Sequence, residues 1–109
     1  FEEAKAAFEQ AGLTQTGDYA TLLRNIGACH GGQGHLVDAM AKFEEAKAAF
    51  EQAGLTQTGA YATLLRNIGL CHGRQGHLVD AMAKYEEAKA AYEQAGLTQT
   101  GDYATLLRN

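Results

Sequence analysis

The chain has no proline and no tryptophan, and only two cysteines in 109 residues. Without proline, no ring stops or kinks a helix, and helix ends must come from glycine and polar residues. Cys29 and Cys71 fall at the same place in successive sequence units. Neither therefore has a partner inside its own unit, and a repeated disulfide framework is excluded. That favours a reducing, intracellular and cytoplasmic setting. No apolar run is long enough to span a bilayer. The opening FEEAKAAFEQ has neither the basic start nor the apolar stretch of a secretory signal, although Phe1 opens in mid-pattern and targeting signals of a longer precursor would lie outside it. Basic residues are the minority, 9 against 13 acidic, for a net charge of -4. A nucleic-acid or anionic-membrane partner, held by Lys and Arg on phosphate, is not implied.

Catalytic signatures are missing as well. No Ser-His-acid set or paired carboxylates stand out, and a chemistry built from duplicated, equivalent side chains suits additive recognition better than an asymmetric catalytic centre. GGQG at 31–34 and GRQG at 73–76 lack the Lys-Ser or Lys-Thr continuation of a phosphate loop. The chain reads as a non-enzyme, with no cofactor implied.

What is present is repetition. Residues 1–42 and 43–84 differ only at Asp18/Ala60, Ala28/Leu70 and Gly32/Arg74, and 85–109 begin the unit a third time. Self-similarity at this period marks a solenoid, so recognition is expected on a repeated surface rather than in one pocket. Near-identity that extends through the loops fits a recently duplicated or an engineered array. The chain is read as a single repeat domain or array fragment over 1–109.

Within each unit the periodicity predicts a helical hairpin. His77 to Ala95 places Leu78, Ala81, Met82, Tyr85, Ala88, Tyr92 and Ala95 on one stripe, among good helix formers. Glu86 with Lys89, or Lys89 with Glu93, can pair along its solvated face. Tyr61, Leu64, Leu65, Ile68 and His72 form a second stripe over 60–72. Gly54 marks a helix stop, whereas Thr58 is not followed at three positions by Glu or Gln, so no capping box fixes the next start. The predicted helices are 1–11, 18–30, 35–53, 60–72, 77–95 and 102–109, with GGQG and GRQG as short turns. A chain that starts inside a long helix and ends inside a short one is expected to be a piece of a longer array or to associate end to end through faces such as Phe1, Phe8 and Leu107.

The segment LLRNIGLCHGRQGHLVDAMAKYEEA, 64–88, resembles a tetratricopeptide repeat. The landmarks are Leu65, Ile68-Gly69, Gly76, Ala81, Tyr85 and Ala88, and in the preceding unit Leu22, Ile26-Gly27, Gly34, Ala39, Phe43 and Ala46. The common unit has 34 residues. The 42 here are more similar to the long variety in kinesin light chains, with an extended second helix. His30 and His72 stand where the family usually carries Tyr. The resemblance implies an all-α fold of antiparallel hairpins in a right-handed superhelix, a protein–protein interaction scaffold whose first helices line a concave groove for extended peptides or partner helices. Carried over, the groove positions are Thr21, Arg24, Asn25 and Ala28, then Thr63, Arg66, Asn67 and Leu70, then Thr105, Arg108 and Asn109. The long variety commonly has Asn-Asn where this chain has Arg24-Asn25 and Arg66-Asn67.

Arg offers a fork suited to carboxylates, and Asn offers a donor and an acceptor for a peptide main chain. Arg24, Arg66 and Arg108 are read as a basic ladder for an acidic or C-terminal segment; the plainer reading pairs each Arg with an acid and each Asn with a neighbouring hairpin. Ala28 and Leu70 either tune the groove or reflect drift. The alternative function is a structural or engineered self-associating array without a dedicated ligand. Cys29-His30 and Cys71-His72 are good zinc-ligand types, but adjacent helical residues point about 100° apart and no second pair completes the site. His35 and His77 lie across the short turn and can approach. The reading is packing, not metal.

Overall fold

The computed structural model describes residues 2–10, 12, 17–96 and 107. It is all-α, with no strand among the described residues: α1 Glu2–Gln10, α2 Gly17–Gly32, α3 Leu36–Gln52, α4 Gly59–Arg74 and α5 Leu78–Gln94. None of these helices is long and apolar enough to cross a membrane. The helix expected over 102–109 lies outside the described residues except for Leu107, as do positions 1 and 11 of the first. The chain divides into two compact units, Phe1–Leu55 and Thr56–Asn109.

In the first unit α2 packs along α3, and α1 touches α2, where Phe8 meets Tyr19 edge-on at 5.9 Å. Helix α2 buries Tyr19, Ala20, Leu23, Ile26, Gly27 and Gly31, a three- and four-residue spacing that makes one face. Opposite it α3 buries Ala39, Phe43, Ala46, Ala49 and Phe50. Burying each large side chain stabilises the pair by about 1.5–3 kcal/mol. In the second unit α4 packs along α5, with Ala62 and Leu65 of α4 clustered with Ala88, Ala91 and Tyr92 of α5 and Tyr61 and Tyr85 packed against them.

Small residues set how close the helices come. A Cβ on Gly27 would sit 2.7 Å from two ring carbons of Phe43 and 3.2 Å from the Ala39 carbonyl oxygen. On Gly69 it would sit 2.8 Å from Tyr85 Cε1. The Ile-Gly and aromatic landmarks of the sequence are thus two sides of one contact.

The chain reverses more tightly than the glycine-rich stretches suggest. Helix α2 runs on through Gly31 and Gly32, and the turn proper is Gln33-Gly34. Gly34 takes φ +82°, its amide donates to the Gly31 carbonyl at 3.1 Å, and His35 donates to the His30 carbonyl at 2.8 Å. This is the glycine-terminated Schellman pattern, which uses two otherwise orphaned carbonyls. Gln75-Gly76 repeats it, with φ +80° at Gly76 and His77 donating to His72 at 2.8 Å. Gly54, at φ +70°, ends α3 in the same way.

Helix α4 does have an N-cap. Thr58 is extended, and its side-chain oxygen accepts from the Tyr61 amide at 3.3 Å. The hydroxyl caps without the Glu half of a capping box, so the helix begins at Gly59.

Three apolar expectations change. Leu78 and Met82, assigned to the buried stripe of α5, are 68% and 54% exposed; Ala81, Ala88 and Tyr92 of that stripe are buried, joined by Ala91. The early large residue buried in α2 is Leu23, while Leu22 is half-buried. Along α5 Lys84 and Glu87 also form an ion pair at 3.0 Å, a solvent-accessible pair of the kind worth at most about 1 kcal/mol.

Candidate functional site

The first-helix residues proposed for a groove lie on α2 and α4. Thr21, Arg24 and Asn25 are half-buried and Ala28 is exposed; Thr63, Arg66, Asn67 and Leu70 are all half-buried. Thr105, Arg108 and Asn109 lie outside the described residues. Spacings of three and four residues put each set on one side of its helix.

Their side chains are not equally available. Arg24 Nη2 donates to Asn25 Oδ1 at 3.3 Å, so these neighbours hold each other. The Thr63 hydroxyl lies 2.9 Å from the Tyr92 hydroxyl, an interhelix bond either atom can donate. Tyr92 is 1% exposed, and a buried phenol needs such a partner. Thr63 therefore serves the hairpin interior rather than an open surface. In the first unit Phe50 replaces Tyr92, and that position carries no hydroxyl for Thr21 to satisfy.

Arg66 differs from both. Its Nε is shut off from solvent and has no hydrogen-bond partner. The guanidinium lies close enough to Tyr85 to oppose the rise that burial imposes on the phenol pKa, an effect Arg74 shares. Arg66 thus keeps one buried donor without an acceptor, which a buried polar group normally avoids. In the first unit an open cleft lies elsewhere on α2 and α3, lined by Tyr19, Leu23, Glu45, Ala48, Ala49 and Gln52.

At the turn ends of the hairpins the structure brings His35 and His77 up to the histidines across the short turn, an approach the sequence reading allowed, and adds an aspartate to each pair. The rings of His30 and His35 lie 6.1 Å apart between centroids, and those of His72 and His77 lie 6.0 Å apart. Asp38 and Asp80 join them: ligand atoms of His30, His35 and Asp38, and of His72, His77 and Asp80, all fall within 4.8 Å of one another. Sequence reasoning weighed each Cys-His pair and the approach of His35 and His77, and missed the Asp. The signal was there as His-x4-His-x2-Asp across a glycine turn, repeated 42 residues on. The cysteines stand aside: Cys71 is buried, and Cys29 is exposed rather than packed as expected.

Comparison with curated proteins gives no match. The family model for the tetratricopeptide repeat, in contrast, matches residues 18–94, a span that takes in α2 from Asp18 on through α5, both close-approach glycines and the glycine-terminated turns at Gly34, Gly54 and Gly76. On that match, which covers well over half of its length, the chain belongs to the tetratricopeptide repeat family.

Proposed function

We propose that the chain is a non-catalytic scaffold that binds extended peptides through the first helix of each unit, α2 in one and α4 in the other, with Arg66 as the principal anchor for a carboxylate or main-chain carbonyl. Tetratricopeptide repeats are generally protein–protein interaction modules. The observation that supports this finer reading is the unused, solvent-shielded Nε of Arg66. Asn67 and Leu70 follow it on the same helix, adding an amide for the main chain and an apolar contact. Arg24 and Asn25 occupy the equivalent positions on α2, where an incoming acceptor has to compete with their mutual bond.

An amide-shift titration with extended acidic, basic and apolar peptides tests this. Saturable shifts at 21–28 and 63–70, strongest for acidic peptides, are expected. Arg66→Gln should weaken acidic-peptide binding by about tenfold or more, the scale of a charged hydrogen bond, and Arg24→Gln by less. Absence of specific shifts with all three classes would remove the groove reading.

The second reading is self-association, favoured by the exposed apolar pair Leu78 and Met82 on α5. They are spaced to lie on one face. If that face recruits another copy, sedimentation shows concentration-dependent oligomers that Leu78→Glu with Met82→Lys abolishes while helicity persists. A monomer at every concentration rules it out.

A further inference from the structure

We propose that each hairpin carries a binding site for a first-row divalent metal ion of the Zn2+ class, formed by His30, His35 and Asp38 in the first unit and by His72, His77 and Asp80 in the second. Two imidazoles and a carboxylate suit Zn2+, with a fourth position left for water.

The backbone already performs most of the positioning. The Schellman bond from the His35 amide to the His30 carbonyl, 2.8 Å long, ties the last turn of α2 to the residue that opens α3. Asp38 stands one turn further on in α3, as the acidic residue of its first turn. No pair of ligand atoms is separated by more than 4.8 Å. Tetrahedral bonds of about 2.0–2.1 Å require ligand atoms roughly 3.4 Å apart, so the side chains need close by at most about 1.4 Å. His35 and Asp38 are exposed and are free to make that adjustment.

A plainer account covers part of this. The two rings can pack as the side-chain pair that often accompanies a Schellman turn, and Asp38 favours the amide end of its helix. That account leaves one atom unexplained. Nδ1 of His30, and likewise of His72, is withdrawn from solvent without a hydrogen-bond partner, at a cost a buried polar group normally avoids. A metal bonded at that nitrogen supplies the partner. His35 makes no side-chain capping bond and is available as a ligand. Zn2+ takes one carboxylate and two neutral imidazoles from a charge of -1 to +1, in a chain whose net charge is -4.

Such an ion joins α2 to α3, and α4 to α5, across their turns. It binds the folded hairpin and not the unfolded chain, and so raises the melting temperature in proportion to the logarithm of its concentration.

The test is titration of the chelator-treated full chain with Zn2+ by calorimetry, with Co2+ as a spectroscopic probe and sedimentation as a check on assembly. Two ions per monomer, tetrahedral Co2+ absorption and a Zn2+-dependent rise in melting temperature are expected. His35→Gln with Asp38→Asn, both exposed positions, should reduce the stoichiometry from two to one without loss of helicity. Asp38→Asn alone should weaken the first site by about tenfold or more. Cys29→Ser should change nothing. The proposal fails if Zn2+ binds only at millimolar concentration, if the double variant still takes up two ions, if Cys29→Ser removes a site, or if uptake requires two chains per ion.

Discussion

Cys29 and Cys71 occupy the same repeat position, but the first faces solvent and the second is 3% exposed. Burial pushes the Cys71 thiol pKa up, partly opposed by Arg74. Since the thiolate is the reactive form, both access and ionisation count against Cys71. Brief treatment of the native protein with a thiol reagent should modify Cys29 and spare Cys71, as peptide mapping would show; equal labelling would contradict the burial. Stability follows from the same shift. A group whose folded pKa lies above its unfolded value contributes fully at lower pH and loses that contribution as pH rises. Burial raises Tyr85 in the same direction. The melting temperature is therefore expected to fall as pH climbs through the ordinary thiol and phenol range, about 8.5 to 10, and to fall less in Cys71→Ala.

At the scale of helices, glycines identical in type carry opposite expectations. Gly27 and Gly69 sit where α2 meets α3 and α4 meets α5, and an added Cβ at either runs into an aromatic ring and a backbone carbonyl. Gly27→Ala should destabilise by about 1–3 kcal/mol through overpacking, partly offset by the better helix propensity of alanine, near 1 kcal/mol. Gly32 and Gly73 are helical too, yet nothing lies within 4 Å of a Cβ there. Gly32→Ala should therefore stabilise by up to about 1 kcal/mol. The sequence itself makes such a change, since Arg74 replaces Gly32 in the second unit. Thermal or denaturant unfolding of the two alanine variants should give shifts of opposite sign.

Across the whole molecule, the all-α hairpin architecture was legible because several signals agreed: a repeat period, stripes of helical spacing, and glycines at Gly27, Gly34, Gly69 and Gly76. Helix ends were less legible. Gly31 and Gly32 look like turn residues, yet φ above zero is needed only at Gly34, and Thr58 caps its helix through a hydroxyl alone. Through-space relations were the hardest. The engagement of Thr63 depends on whether Phe or Tyr stands 29 residues later, and the meeting of Asp38 with two histidines depends on a turn geometry that periodicity does not encode. Leu78 and Met82 kept the right spacing for a core stripe and still face outward, because spacing fixes which residues share a face and not what covers it.

The two-residue turn at Gln33-Gly34 also decides which helices become partners. Helices α3 and α5 present nearly the same residues, so α2 would find a suitable mate in either, on this chain or on another copy. Closing two residues rather than the whole intervening hairpin favours the local choice by roughly 3 kcal/mol of chain entropy. Slackening the turn with a flexible glycine-serine insertion erodes that preference. Exchange of hairpin arms between molecules should then appear as a dimer that forms on refolding at high concentration and dissociates only through unfolding, whereas the native turn should refold to monomer under the same conditions. A repeat protein with almost interchangeable parts thus relies on its shortest segment for the order of assembly.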